Sequence, residues 1–195
     1  MTAMQPQLIT REVIPFTLSF AALALTALLF DGLLHYYNLV WIGRYLGILG
    51  TLLIVFSFRY SLRKRKIISK GNVAALLRWH EYQAWLGSLL ILVHAGIHFN
   101  SILGWLAVWA MLINIGSGLA GKFLLARARK RMLESRQFML RQGVPEAEFE
   151  ERIHLDTLTF DMVKQWRDVH FPITLAFAVL AMAHIMAVFL FWGWK

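Results

Sequence analysis

The chain has 195 residues, of which 58% are hydrophobic and only 16% charged, with a mean hydropathy of +0.57; that balance lies outside the soluble range and makes lipid the expected solvent. It has no cysteine, which excludes disulfides, thiolate-held iron–sulfur clusters and covalent attachment through a C-x-x-C-H motif. The net charge of +9 would suit nucleic acid in a soluble protein, but here the basic residues gather in two loops between apolar blocks, which points to membrane topology and not to nucleic acid.

In chain order, the first apolar run extends from Ile14 to Phe30 and is followed by Asp31 and His35, not by a small-residue cleavage site. A retained first span over about residues 14 to 36 is expected. The second span covers Trp41 to Tyr60 and ends in a basic loop containing Arg59, Arg63, Lys64, Arg65, Lys66 and Lys70. Asn72 is placed to cap a long third span that carries Arg78, His80, Gly87, His94 and His98 before Asn100 and Ser101 turn the chain. In the fourth span, Gly104 to Leu125, the small residues Gly116, Ser117, Gly118, Ala120 and Gly121 allow close approach of another helix. From Lys122 to Arg141 there are seven basic residues and one acid, a pattern suited to an interfacial amphipathic helix. The stretch from Gln142 to Asp168 is acidic, and Pro145 is placed to start a second short helix. The fifth span begins near Val169 and ends in Trp192, Trp194 and Lys195, residues suited to a membrane interface.

The expected fold is therefore all-α: a single-domain integral membrane bundle over 1–195 with five transmembrane helices, and with 122–168 as an extended cytoplasmic loop. The loops after the second and fourth spans are strongly basic, whereas the turns after the first and third carry only Arg44. The positive-inside rule then puts the amino terminus in the cytoplasm and the carboxyl terminus outside, in a multi-pass protein of the cell's inner (plasma) membrane. In that topology the third and fifth spans run parallel.

Ionisable side chains within spans are costly, face the bundle interior and tend to mark a functional site. The third span has His80 and His94, the fifth has His170 and His184, and each pair is separated by thirteen residues. Fourteen residues advance a helix by about 21 Å and return it to within about 40° of the same face. Parallel helices then set His80 level with His170 near the cytoplasm and His94 level with His184 toward the outside. Two facing imidazoles suit the two axial positions of a haem iron and leave no open coordination site, so each haem is expected to transfer electrons without binding substrate. Four unrelated histidines, each hydrogen-bonded in a bundle core, is the competing reading.

The two pairs, His80 to His94 in HEYQAWLGSLLILVH and His170 to His184 in HFPITLAFAVLAMAH, resemble the diheme b-type core of ferric reductases and NADPH oxidases, whose ligands also sit on the third and fifth helices. A similar spacing occurs in the cytochrome b subunit of quinol-oxidising bc complexes. The resemblance covers about residues 72 to 194 and is one of pattern. It implies two bis-histidine haem b groups and a phenylalanine between them, a position Phe177 matches. The reductases and oxidases add a sixth helix and then flavin and nicotinamide domains, while this chain carries no dinucleotide fingerprint. Its electrons are therefore expected from a separate subunit, a soluble carrier or a quinol. The diheme subunit of fumarate reductases spreads its ligands over four helices, against which the two pairs argue.

Around the ligands, Arg78 and Arg167 are candidates to neutralise the propionates of the inner haem and Arg44 those of the outer one, positive-inside anchoring being the alternative. Gly87 and Phe177 stand halfway between the histidines of their helices, where glycine would make room for a porphyrin edge; ordinary packing serves as well. His98, one turn beyond His94, and His35 are candidates for a propionate contact, a quinol pocket or a third haem, a satisfied surface histidine being preferred to each of these. The leading expectation is an electron-transfer subunit of a respiratory-type oxidoreductase complex, not a stand-alone enzyme, with its partner subunits docked on 122–168 and membrane lipid around it. The alternative is a quinone-reactive membrane anchor with a quinone as second cofactor, served by Glu81, Asp168, His98 or Asp31. A metal transporter or non-haem scaffold is a further reading, for which the spans lack accompanying carboxylates.

Overall fold

The computed structural model describes residues 14–98, 101–143 and 157–192, and among them helix is the only regular structure. Helix α1 spans Ile14–Tyr36. After a turn through Asn38, whose φ is +56°, a 3-10 turn at Val40–Ile42 leads into α2, Gly43–Ser57, which resumes after Phe58 as the short α3, Arg59–Lys64. Helix α4 covers Val73–Ile97, α5 Ile102–Arg141, and α6 Thr157–Ala187, ending in a π turn at Val188–Trp192. The side chain of Asn72 caps α4 by accepting from the N–H groups of Ala74 and Ala75 at 2.9 and 3.3 Å. Ser101 caps α5 by accepting from the Gly104 N–H at 3.1 Å.

Among the described residues, four helices are long and apolar enough to cross a membrane: Ile14–Tyr36, Val40–Lys64, Ile102–Phe123 and Gln165–Phe191. Helix α4 has the length, 25 residues, but Arg78, His80, Glu81, Gln83 and His94 dilute its apolar character.

Two boundaries differ from the sequence expectation. The basic stretch after Lys122 forms no separate interfacial helix; it continues α5, which is 40 residues long, about 60 Å against a hydrocarbon thickness of ~30 Å. Between Lys122 and Arg141 there is neither proline nor glycine, good helix formers dominate, and Lys130 and Glu134 make an i,i+4 ion pair at 3.6 Å. Helix α6 likewise starts at Thr157, well before Val169, and accommodates Pro172 within it, leaving the Asp168 carbonyl without a helical donor. Of the stretch 122–168 expected as a loop, 122–141 and 157–168 are thus helical, and 144–156 lie outside the described residues. Pro145 and the short helix expected there lie outside the described residues.

The helices associate as two pairs, α2 with α4 and α5 with α6. At the first crossing the backbones touch: a Cβ on Gly50 would meet the Gly87 carbonyl oxygen at 2.7 Å, and one on Gly87 would meet that of Gly50 at 2.9 Å. Glycine permits this approach in lipid, where van der Waals contact drives helix association. Helix α1 leans on α4, where Leu23, Ala27, Leu89 and Val93 form the buried cluster, joined by Leu46 of α2 and Ile115 of α5. The histidine-bearing helices α4 and α6 make no extended contact with each other.

Candidate functional site

Each of the four imidazoles is tied through Nδ1 to a neighbouring element. On α4, Nδ1 of His80 donates to the Ser57 carbonyl at 3.1 Å and Nδ1 of His94 to the Gly43 carbonyl at 2.9 Å. A carbonyl can only accept, so these rings carry their proton on Nδ1 and present a lone pair at Nε2. On α6, Nδ1 of His170 lies 3.0 Å from the Ser117 hydroxyl and Nδ1 of His184 lies 3.1 Å from that of Ser101. A hydroxyl bonds in either direction, and the donating direction from Nδ1 again leaves Nε2 for a metal. An outer partner on the second nitrogen is the usual way a ligand histidine is oriented and made more basic.

Glycines make space for these rings. A Cβ on Gly47 would lie 2.7 Å from the His94 ring, one on Gly104 would lie 3.3 Å from His184, and one on Gly118 would lie 3.8 Å from His170. Aromatic neighbours complete the sites. Trp166 stacks on His170 with centroids 5.0 Å apart and planes at 22°, and Tyr60 tilts against His80 at 5.5 Å. His98 meets His94 edge-on at 5.0 Å.

The rings also fall into two levels. His94 hangs on Gly43 at the start of α2 and His184 on Ser101 at the start of α5, whereas His80 hangs on Ser57 at the end of α2 and His170 on Ser117 within α5. The helices that carry the two halves of each level, α4 and α6, are not among those that pack extensively on one another.

The other candidates are placed as follows. Arg78 is exposed and lines a shallow cavity with Ala75, Trp79 and Tyr82; two residues from His80 on a helix, it points about 160° away from that ring. Arg167 is exposed one turn before His170, and Arg44 follows the Gly43 carbonyl that holds His94. Gly87 faces α2, where close packing explains it. Phe177 is buried midway along α6. His98 and Asp168 are exposed, while Glu81 is paired with Lys122 of α5 at 2.8 Å. Asp31 faces Gly96 of α4 with its Oδ1 buried and without a hydrogen bond, 3.5 Å from His35 Nδ1.

Sequence reasoning missed the groups that hold the rings: the carbonyls of Gly43 and Ser57, the hydroxyls of Ser101 and Ser117, Trp166, and Arg65, whose guanidinium lies 4.3 Å over the Phe171 ring beside His170. Trp166 had a visible signal, since it stands four residues before His170 and shares its face.

No group of three or more His, Cys, Asp or Glu that could hold a bare metal ion occurs among the described residues. Zinc and copper sites draw three or four donors from the protein. A pair of imidazoles suits instead a metal whose remaining donors come from a macrocycle. No protein-family model, curated protein or solved structure matches the chain.

Proposed function

We propose that the chain is a diheme b-type cytochrome subunit of a membrane oxidoreductase complex, with His80 and His170 as axial ligands of one haem and His94 and His184 of the other. What supports this reading is the set of four imidazoles, two on α4 and two on α6, each held at Nδ1 by a neighbouring element, on helices that make no extended contact with each other. When bound, each haem supplies a one-electron ferric–ferrous change. The protein's own part is to hold the ligands. The Nδ1 bonds fix ring orientation, Phe177 fills the bundle between the two levels, and Arg65 and Arg167 at one end and Arg44 at the other would pair with propionates.

In this reading α4 is a fifth crossing, with His80, Glu81 and His94 turned toward neighbouring helices. The basic residues of α3, of the loop that follows it and of the lower part of α5 put the His80–His170 level toward the cytoplasm, in the cell's inner membrane. Electrons then cross between a quinol or partner subunit and an acceptor on the far side. The expected test result is a reduced-minus-oxidised spectrum with two b-type haems per chain; haem-free protein from haem-replete membranes refutes the reading.

Partner subunits dock, in this proposal, on the connection 142–156 and the adjoining helix ends, where Phe138 and Leu140 are exposed beside Arg141. Replacing 144–156 by a glycine–serine linker of equal length should keep both haems and release the partner during gentle purification. Co-purification of an intact complex would overturn the docking role.

Asp31 favours one second reading, a quinone site within the chain. A buried carboxylate oxygen without a hydrogen bond is costly, and a quinol hydroxyl would satisfy it beside His35 at the His94 end. Asp31→Asn should then abolish quinol reduction of the haems while leaving their spectra intact; unchanged quinol reduction sinks this reading.

A further inference from the structure

We infer that Ser117 and Trp166 form a clamp that positions the His170 imidazole and sets the electronic properties of the inner haem apart from those of the outer one. This rests on the diheme reading above. Ser117 holds two rings at once. Its carbonyl accepts from Trp166 Nε1 at 2.7 Å, and its hydroxyl lies 3.0 Å from His170 Nδ1. The two rings so held stack on each other at 5.0 Å and 22°.

Helix α5 is shaped to receive them. A Cβ on Gly121 would run into the Trp166 indole, while one on Gly118 would make only ordinary contact with His170, 3.8 Å from Cε1. Gly121 thus seats the indole, the indole covers one face of the imidazole, and Ser117 fixes the imidazole edge. A ring restrained on its face and its edge cannot turn about its side-chain torsion without breaking a hydrogen bond or the stack. Within the outer level, His184 is held by Ser101, whose hydroxyl also caps α5.

The chemistry follows from the direction of the Ser117 bond. Ligation through Nε2 requires the proton on Nδ1, so the ring donates to the Ser117 oxygen. Donation shifts electron density onto the imidazole, makes it a stronger ligand for ferric iron and lowers the reduction potential. Removing the acceptor should therefore raise it. Trp166 acts through the ligand ring it stacks on and is a positioning residue.

The experiment uses the full chain with both haems bound, the inner haem being the component lost in His80→Ala. Redox titration and low-temperature EPR are recorded for wild type, Ser117→Ala, Ser117→Thr and Trp166→Leu. In Ser117→Ala the inner midpoint should rise by about tenfold in the reduction equilibrium, ~59 mV for one electron. Its largest g value should move, and the outer haem should stay as it was. Ser117→Thr keeps the hydroxyl and should restore the wild-type values. Trp166→Leu leaves the Ser117 bond in place and should broaden the inner haem's EPR signal as the ring gains freedom; this variant decides the matter if Ser117→Ala does not retain haem. Inner-haem signals that stay unmoved in these variants, with both haems bound, overturn the clamp. A purely structural role would lower thermal stability without touching midpoint or g value. Wild-type protein without haem refutes the diheme reading itself, a separate outcome.

Discussion

In the α2–α4 pair, the imidazoles of His80 and His94 hang on main-chain carbonyls, whereas in the α5–α6 pair those of His170 and His184 hang on serine hydroxyls. The difference has two consequences. A carbonyl fixes the tautomer, because it can only accept, and no side-chain substitution deletes it. A hydroxyl leaves the tautomer to the metal and is removable by one mutation. In the proposed cytochrome each haem has one ligand of each kind, so α4 supplies the invariant half of both sites and α6 the adjustable half.

The largest expected effect tests whether one ligand of each kind meets at each level. His94→Ala and His184→Ala should each remove the same outer haem, and His80→Ala and His170→Ala the same inner one, as read by the difference spectrum and the haem-to-protein ratio. Loss of one spectral component in both His80→Ala and His184→Ala would show that the levels are crossed and would remove the basis of the comparison.

A second pair of variants compares the two sides of the outer level. Beneath His94 a new Cβ at position 47 would sit 2.7 Å from the ring, while beneath His184 one at position 104 would sit 3.3 Å away. The first demands displacement of a ring whose Nδ1, 2.8 Å from the new Cβ, is tied to the Gly43 carbonyl; the second asks for a few tenths of an ångström. Gly47→Ala should therefore weaken outer-haem retention by about tenfold or more, and Gly104→Ala should change it little. Equal haem content in the two variants would mean that the α2 side yields as readily as the α5 side.

How much of this was legible in the sequence differs between the two pairs. The histidines announce themselves through repetition, and the spans through apolar runs. Ser117 and Gly121 were visible as small residues, but their use was not: nothing in the order of residues says that one serine faces both an indole and an imidazole. The carbonyl anchors could not be read at all, because every residue has a carbonyl. In retrospect they obey a register. Gly43 and Ser57 are 14 positions apart on α2 (57 − 43), as are His80 and His94 on α4 (94 − 80), so an antiparallel neighbour offers one anchor per ring. On α5 the anchors Ser101 and Ser117 are 16 positions apart (117 − 101) and are side-chain hydroxyls, so the fourteen-residue register does not hold there. The continuous helix beyond Lys122 escaped a reading based on charge, since a basic face looks the same whether it lies on lipid or projects from it.

Ser101→Ala comes next in size. It removes both the His184 contact and the cap on Gly104 N–H, so it should lower thermal stability by about 1 kcal/mol and weaken outer-haem retention by about tenfold, leaving the inner haem in place. Retention as strong as wild type would mean that the hydroxyl on the α6 side contributes nothing to ligation.

The smallest expected effect is the sharpest test of the carbonyl side. Ser57 is a serine at an anchor position, but its side chain is not the anchor: its hydroxyl donates to the Ile54 carbonyl at 2.7 Å, and it is the main-chain oxygen that accepts from His80. Alanine keeps that oxygen. The bond lost with the hydroxyl is local to α2, so the cost should be about 1 kcal/mol. Ser57→Ala should thus preserve the amount, midpoint and EPR signal of the inner haem. A loss or shift of the inner haem in this variant would show that a side chain, and not the backbone, holds His80, and the distinction between the two helix pairs would disappear.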